Sequence, residues 1–262
     1  MPYVECNGQR LYVEDTGGEG PPIILSHGFL MDHRMFAPQV AALADTHRVI
    51  TWDERGFGRS EFDGEPFTYW DSARDLFGIL DTLGIERAVL AGMSQGGFLS
   101  LRAALLAPDR VRALVLIDTQ PGTEDPDALE GYQALIDGWV AGGYQEEIAD
   151  VVAGLILGDP ELAEEWKAIW QQWPPERLAE PGRTLLTRDD VTDRVPEIDA
   201  PTLVVHGSAD AAIPVTKAEA LCDALPECRG LVVIDGAAHA PNLTHPDQVN
   251  AALRSFLEGL PA

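Results

Sequence analysis

One pentapeptide in this chain has the arrangement that makes a serine a nucleophile: Gly92-Met93-Ser94-Gln95-Gly96, with Gly97 following. It stands directly after an apolar run and directly before a helix-like stretch. A strand-to-helix turn that sharp crowds its middle residue, and glycines two before and two after relieve the crowding. The serine is then exposed at a helix N-terminus, whose dipole favours developing negative charge. Alone, the segment leaves open a glycine-rich turn with an incidental serine. The chemistry requires a base, and an acid to orient it.

For a nucleophile in such a turn the expected chain order is serine, acid, histidine. Six histidines compete: His27, His33, His47, His206, His239 and His245. His239 follows the last apolar run, in Gly236-Ala237-Ala238-His239-Ala240-Pro241. A loop there lies at the C-terminal end of a parallel sheet, where ligands of open α/β sheets bind. It is the expected base. His206 ends a strand, His245 stands where a helix starts and is expected to cap it, and His27 is expected to be buried, holding its loop. The acid is expected at Asp210, in Gly207-Ser208-Ala209-Asp210 after the penultimate strand, with Asp118 in reserve. A tetrahedral intermediate also needs donors for its oxyanion. The Gln95 N–H is one; Phe29 N–H, in His27-Gly28-Phe29-Leu30 after an earlier strand, is the second.

Other chemistries are less well supplied. Asp53-Glu54-Arg55-Gly56-Phe57-Gly58-Arg59-Ser60 has two glycines of a nucleotide loop but lacks the third. It reads as a structural turn with Asp53 and Arg55 in local hydrogen bonds. No P-loop occurs, no His/Cys/carboxylate group has metal-ligand spacing, and no cofactor or metal is expected.

These residues need a scaffold, and the apolar pattern supplies one. Arg10 to Glu14 alternates as an antiparallel edge strand would. Continuous runs at residues 23–25, 49–52, 88–91 and 113–117 suit parallel strands buried on both faces. Helical periodicity lies between them: Trp70, Ala73, Phe77 and Leu80 share one face, and Gly96 to Leu106 is rich in small residues. The alternation stops after Asp118, resumes at 202–205 and 231–234, and closes with a helix from Pro246 carrying Val249, Leu253, Phe256 and Leu260. Residues 121–196 show helices and no convincing strand. The expected organisation is therefore a core of residues 1–120 and 197–262 with a helical cap at 121–196.

The chain has 262 residues and a net charge of −25. Its 45 % apolar and 23 % charged content is that of a folded domain, not a disordered chain. Such acidity repels phosphate backbones and anionic lipid, so no nucleic-acid or membrane partner is expected. Residues 121–200 hold 19 acidic and 5 basic residues, a net of −14, so over half the charge sits in under a third of the chain. The sparse, odd set Cys6, Cys222 and Cys228 fits a reducing compartment; Cys222 and Cys228 are near enough in sequence to bond but are expected to stay free. The N-terminus carries no basic start followed by an apolar stretch, and the longest apolar run, 151–157, is far short of a membrane span. A cytoplasmic location is expected. Oligomeric state is open, a homo-oligomer included.

Taken together, His27-Gly28, Asp53-x-Arg55-Gly56-x-Gly58-x-Ser60, Gly92-x-Ser94-x-Gly96-Gly97, Gly207-x-x-Asp210 and His239 resemble, in that order, the lid-bearing branch of the α/β-hydrolase superfamily. The resemblance implies an α/β-hydrolase fold: a mostly parallel eight-stranded sheet flanked by helices, with the cap inserted. It also implies a serine hydrolase acting on small-molecule carboxylic esters or lactones through an acyl-enzyme. Dehalogenases and epoxide hydrolases carry aspartate where Ser94 stands, which sets them aside. Two departures are Gln95, often apolar in relatives, whose side chain could add a polar group near the site, and the last loop around His245, where many relatives carry an acidic residue and the hydrogen bonding is expected to differ. Rival readings on the same triad are perhydrolysis by a cofactor-free haloperoxidase, 3-oxoadipate enol-lactone opening and carbon–carbon cleavage. A small-molecule receptor with an intact triad is the rival of another class. Leu30 and Met93 are expected to line the pocket, with Trp139, Trp166 and Trp170 forming an aromatic wall, although packing is the plainer role for at least two of the cap tryptophans. Neutral apolar or aromatic substrates are expected over anionic ones.

Overall fold

The computed structural model describes residues 2–261, apart from the side chain of Asp127. Eight strands form one sheet: β1 (Tyr3–Cys6), β2 (Gln9–Asp15), β3 (Pro22–Ser26), β4 (Arg48–Trp52), β5 (Ala88–Met93), β6 (Val111–Ile117), β7 (Thr202–Gly207) and β8 (Cys228–Ile234). Their spatial order is β1-β2-β4-β3-β5-β6-β7-β8. The β1–β2 and β2–β4 pairs are antiparallel and all others parallel. This is the mostly parallel eight-stranded sheet that the resemblance implied.

Every residue of β5 and β7 is buried, which is why these strands read as continuous apolar runs. Alternate residues feed two cores. On one face Ile23, Leu25, Val89 and Val115 pack with Leu43 of α1 (Ala37–Leu43) and with Val249, Leu253 and Leu257 of α10 (Pro246–Glu258). On the other, Ile24, Ile50, Leu90 and Leu114 pack with α2 (Tyr69–Thr82), α3 (Gln95–Leu106) and α8 (Val215–Ala224). A short helix, α9 (Pro241–Thr244), follows the His239 loop.

Between β6 and β7 the chain forms α4 (Pro126–Gly142), α5 (Glu146–Ile156), α6 (Pro160–Trp170) and α7 (Ala179–Leu186). Their apolar residues Trp139, Val152, Trp166 and Trp170 belong to the same buried cluster as Ile23 and Val115 of the sheet. The insert is thus packed onto the first core face. Outside, the Lys167 ammonium is ringed by carboxylates of Glu146, Asp150 and Glu164 at 2.7, 2.8 and 2.6 Å.

Two expectations change. The sheet edge is β1, not the 10–14 strand, because four residues of mixed polarity pair outside it. The other edge, β8, is only half covered, with Val233 45 % exposed. Cys222 and Cys228 do not stay free: they form a disulfide across the corner from α8 into β8, their Cα atoms 5.4 Å apart. Folding back at that corner brings the two thiols together, which the composition argument could not anticipate. Cys6 is the free cysteine. No helix among the described residues is long and apolar enough to cross a membrane.

Candidate active site

The pentapeptide forms the turn between β5 and α3. Ser94 sits at φ +51°, in the left-handed region that L-residues avoid. The spacing of its glycines has a steric cause. A Cβ on Gly92 would run into the backbone of Gly96, and one on Gly96 into the Ser26 carbonyl. Ser94 N–H donates to the Ile117 carbonyl at 2.9 Å, and Thr119 Oγ1 donates to the Ser94 carbonyl at 2.8 Å. The strained residue is therefore held from β6 as well as from its own helix.

His239 lies in the loop after β8, and Asp210 in the loop after β7. The His239 Nδ1···Asp210 Oδ2 separation is 2.7 Å. Asp210 Oδ1 accepts the Ala212 and Ile213 N–H groups at 2.8 and 3.0 Å. Burial would raise this carboxyl, but the His239 charge and bonds from His206, His239 and Ile213 N–H hold it well below the usual carboxylate range. Ser94 and His239 line one cavity, without a hydrogen bond between them among the described residues. Such bonds are often long before substrate arrives.

Sequence reasoning undervalued two neighbours of Asp210. His206, buried in β7, places Nε2 2.8 Å from the Ile213 carbonyl and 3.3 Å from Asp210 Oδ2. Asp118, fully buried at φ +44°, accepts the Gly207 N–H at 2.9 Å, and its other oxygen has no partner. Polar atoms of Asp118, His206 and Asp210 lie within 4.8 Å of one another. Burial first, and then the Asp210 charge, pushes the Asp118 carboxyl well above the usual range. A similar group, Asp32, His33 and Asp53, is occupied internally: Asp53 accepts the His33 N–H and Nδ1–H and the Arg59 N–H. Spacing along the chain hid both clusters.

The loop after β3 carries the expected second donor. Gly28, Phe29 and Leu30 line the cavity with Ser94 and Met93. Among the described residues, neither the Phe29 nor the Gln95 N–H donates to another group of the protein. His27 is buried, Nδ1 against the Gly28 carbonyl at 2.8 Å and Nε2 accepting the Glu54 N–H at 3.0 Å. Asp53-x-Arg55-Gly56-x-Gly58 is a turn wrapped round the Asp53 carboxylate, with Arg55 on Asp75 at 2.5 and 2.8 Å.

Some assignments shift. Gln95 adds nothing polar to the cavity: its side chain is turned away, Nε2 donating to Glu54 Oε1 at 3.0 Å and Oε1 accepting from Tyr69 at 3.3 Å. Burial pushes the Glu54 carboxyl up to about 8. His245 occupies the α10 N-cap position, but its ring meets Thr244 Oγ1 instead of the helix N–H groups. Of the three wall tryptophans, Trp139 lines the cavity whereas Trp166 and Trp170 do not. The latter two sit behind it, because their helix lies against the loop after β3.

Within the cavity the space open to the centre of a water molecule is about 100 Å³. Leu30, Leu135, Ile136, Leu155, Ile156 and Leu178 give it apolar walls, and Glu124 and Tyr132 are its polar groups apart from Ser94 and His239. No Lys or Arg lines it among the described residues. Glu124 is paired with Arg188, whose other nitrogens go to the Gly122 and Leu185 carbonyls.

A family model described as alpha/beta hydrolase fold matches residues 21–246. The 3-oxoadipate enol-lactonase 1 of Acinetobacter baylyi is 30 % identical over 265 residues, covering 97 % of this chain and 95 % of that protein. A thermophilic esterase from Thermogutta terrifontis superposes with a TM-score of 0.90 at 32 % identity, over 100 % of this chain and 98 % of its own. The enol-lactonase of Burkholderia xenovorans LB400 gives 0.88 at 28 % identity, over 98 % and 100 %.

Proposed function

The chain belongs to the α/β-hydrolase fold family and is a hydrolase, and from that premise we propose that it cleaves neutral carboxylic esters or lactones through an acyl-enzyme on Ser94. The observation that carries this is the 2.7 Å His239–Asp210 contact at a cavity that Ser94 shares. His239 takes the Ser94 proton as Oγ attacks the carbonyl carbon. Asp210 orients the ring and stabilises the imidazolium. The Phe29 and Gln95 N–H groups receive the oxyanion, the second with the help of the α3 dipole. Collapse expels the alcohol, protonated by His239. Water activated by the same ring then attacks the acyl carbon and frees the acid and Ser94.

The cavity supports the neutral class. Its walls are hydrocarbon, its carboxylate is Glu124, and each nitrogen of the nearby Arg188 already donates to Glu124 or to the Gly122 and Leu185 carbonyls. An anionic acyl group would meet no free cation there. On this reading residues 121–196 act as a lid over the triad, and the catalytic chemistry stays in residues 1–120 and 197–262.

The test is a panel of p-nitrophenyl esters, lactones and half-esters of di-acids, run on the wild type and Ser94→Ala. Ser94→Ala is expected to lower kcat on the order of 10⁶-fold, with neutral substrates preferred by the wild type. Near-wild-type hydrolysis by the variant sinks the serine mechanism; preference for the half-esters sinks the neutral class.

A further inference from the structure

Trp170 closes α6, is fully buried and does not face the cavity. Its indole N–H donates to the Leu30 carbonyl at 2.6 Å. Leu30 is itself unusual: a leucine at φ +61°, one residue beyond Phe29. A left-handed L-residue persists only where its surroundings hold it. Two local constraints are present, a Met31 N–H to Gly28 carbonyl bond of 3.1 Å and the indole bond. Neighbouring rings reinforce the second. Trp139 meets Trp170 edge-on at 6.0 Å, and Phe57 stands between Phe29 and Trp173 at 5.6 and 6.1 Å. Arg34, just after this loop, lies over the Trp166 ring at 6.0 Å. One helix of the insert and its C-terminal extension therefore grip the segment that carries Phe29.

We propose that Trp170 is a positioning residue for the oxyanion hole: its indole N–H locks Leu30 in the left-handed conformation and so aims the Phe29 N–H at the reacting carbonyl. The inference rests on the serine-hydrolase reading above. Docking of the insert and assembly of the oxyanion hole then become one event, since a lifted α6 removes the bond that holds the donor loop. The dependence falls on the transition state, because the Phe29 N–H is needed most where charge develops on oxygen.

The experiment replaces Trp170 in the full chain in two ways. Trp170→Phe removes the donor and part of the ring. Incorporating 3-benzothienylalanine at position 170 removes only the donor and keeps the bicyclic shape. Steady-state kinetics on p-nitrophenyl butyrate are read beside affinity for a phenylboronic acid, which forms a tetrahedral adduct with an active serine. Both variants are expected to lose roughly ten- to a hundredfold in kcat, as small misplacements of a catalytic group do. KM should stay within about twofold, and boronate affinity should fall by the same factor as kcat. Unchanged kcat and boronate affinity in the benzothienyl protein overturn the proposal. A raised KM with unchanged kcat also overturns it, leaving Trp170 a packing residue. If the wild type shows neither Ser94-dependent turnover nor boronate binding, the serine-hydrolase reading fails and takes this inference with it.

Discussion

The sheet core and the helical insert contribute to the same cavity by opposite means. In the core each residue proposed for the reaction stands just beyond the end of a parallel strand: Phe29 after β3, Ser94 after β5, Asp210 after β7, His239 after β8. These positions are held by short polar bonds and by backbone that only a few side chains permit. The insert offers hydrocarbon instead. Leu135, Ile136, Trp139, Val152, Leu155 and Ile156 face the cavity from α4 and α5, while the exposed carboxylates of Glu146, Asp150 and Glu164 meet Lys167 on the outside. The −14 charge of residues 121–200 is thus mostly a property of the outer surface, and Glu124 is the carboxylate that reaches the cavity. Rigid polar geometry suits a step common to all substrates. A wall of flexible apolar side chains suits discrimination among them.

Substitutions on the two sides should therefore fail differently. After Ser94→Ala, the largest effect is expected from Asp210→Asn, which keeps the shape but loses the charge beside His239. It should lower kcat on the order of 10⁴-fold, equally for every ester in a panel. A loss confined to one acyl length would break the distinction between core and insert. On the other side, Leu155→Ala enlarges the cavity from α5. It should shift kcat/KM by about tenfold toward bulkier acyl groups, mainly through KM. A uniform fall in kcat would mean that the insert takes part in the chemistry.

Glu54→Gln probes the region behind the nucleophile and should have the smallest effect on turnover. Folded Glu54 keeps its proton up to about pH 8, whereas the unfolded chain releases it near 4.5. The unfolded state binds fewer protons in that window, so this group lowers wild-type stability as pH rises from about 5 to 8. The variant lacks that contribution. Urea unfolding at pH 5, 6.5 and 8 should show its stability gaining on the wild type with pH. Parallel stabilities would mean that Glu54 is ionised in the fold.

Much of the core was legible because its signals are local. Glycines two residues either side of Ser94 are a steric requirement of one turn, and continuous apolar runs are what strands buried on both faces need. The order serine, acid, histidine expected after such a turn, with the loops after the last two strands, singled out Asp210 and His239 as candidates. What escaped involved contacts across the chain. Asp118 reads as a spare acid until its partnerless oxygen and its closeness to Asp210 are seen. Gln95 looks like a pocket residue until Glu54, 41 positions earlier, is found to hold it. The Cys222–Cys228 bond depends on how α8 turns into β8.

The tryptophans mark the boundary. Sequence by itself determined that the insert is aromatic and helical, that the core presents a strained serine above a parallel sheet, and that Asp210 and His239 follow it in the loops after later strands. Those properties arise from residue type and short-range sterics. Only the tertiary structure decided that Trp139 faces the cavity while Trp170 reaches back to the Leu30 carbonyl, 140 residues away in sequence. An indole can bury its ring against almost any apolar surface, but its one N–H must find an acceptor when buried. Which acceptor it meets depends on how α6 docks against the loop after β3, a long-range fit that helical periodicity does not encode.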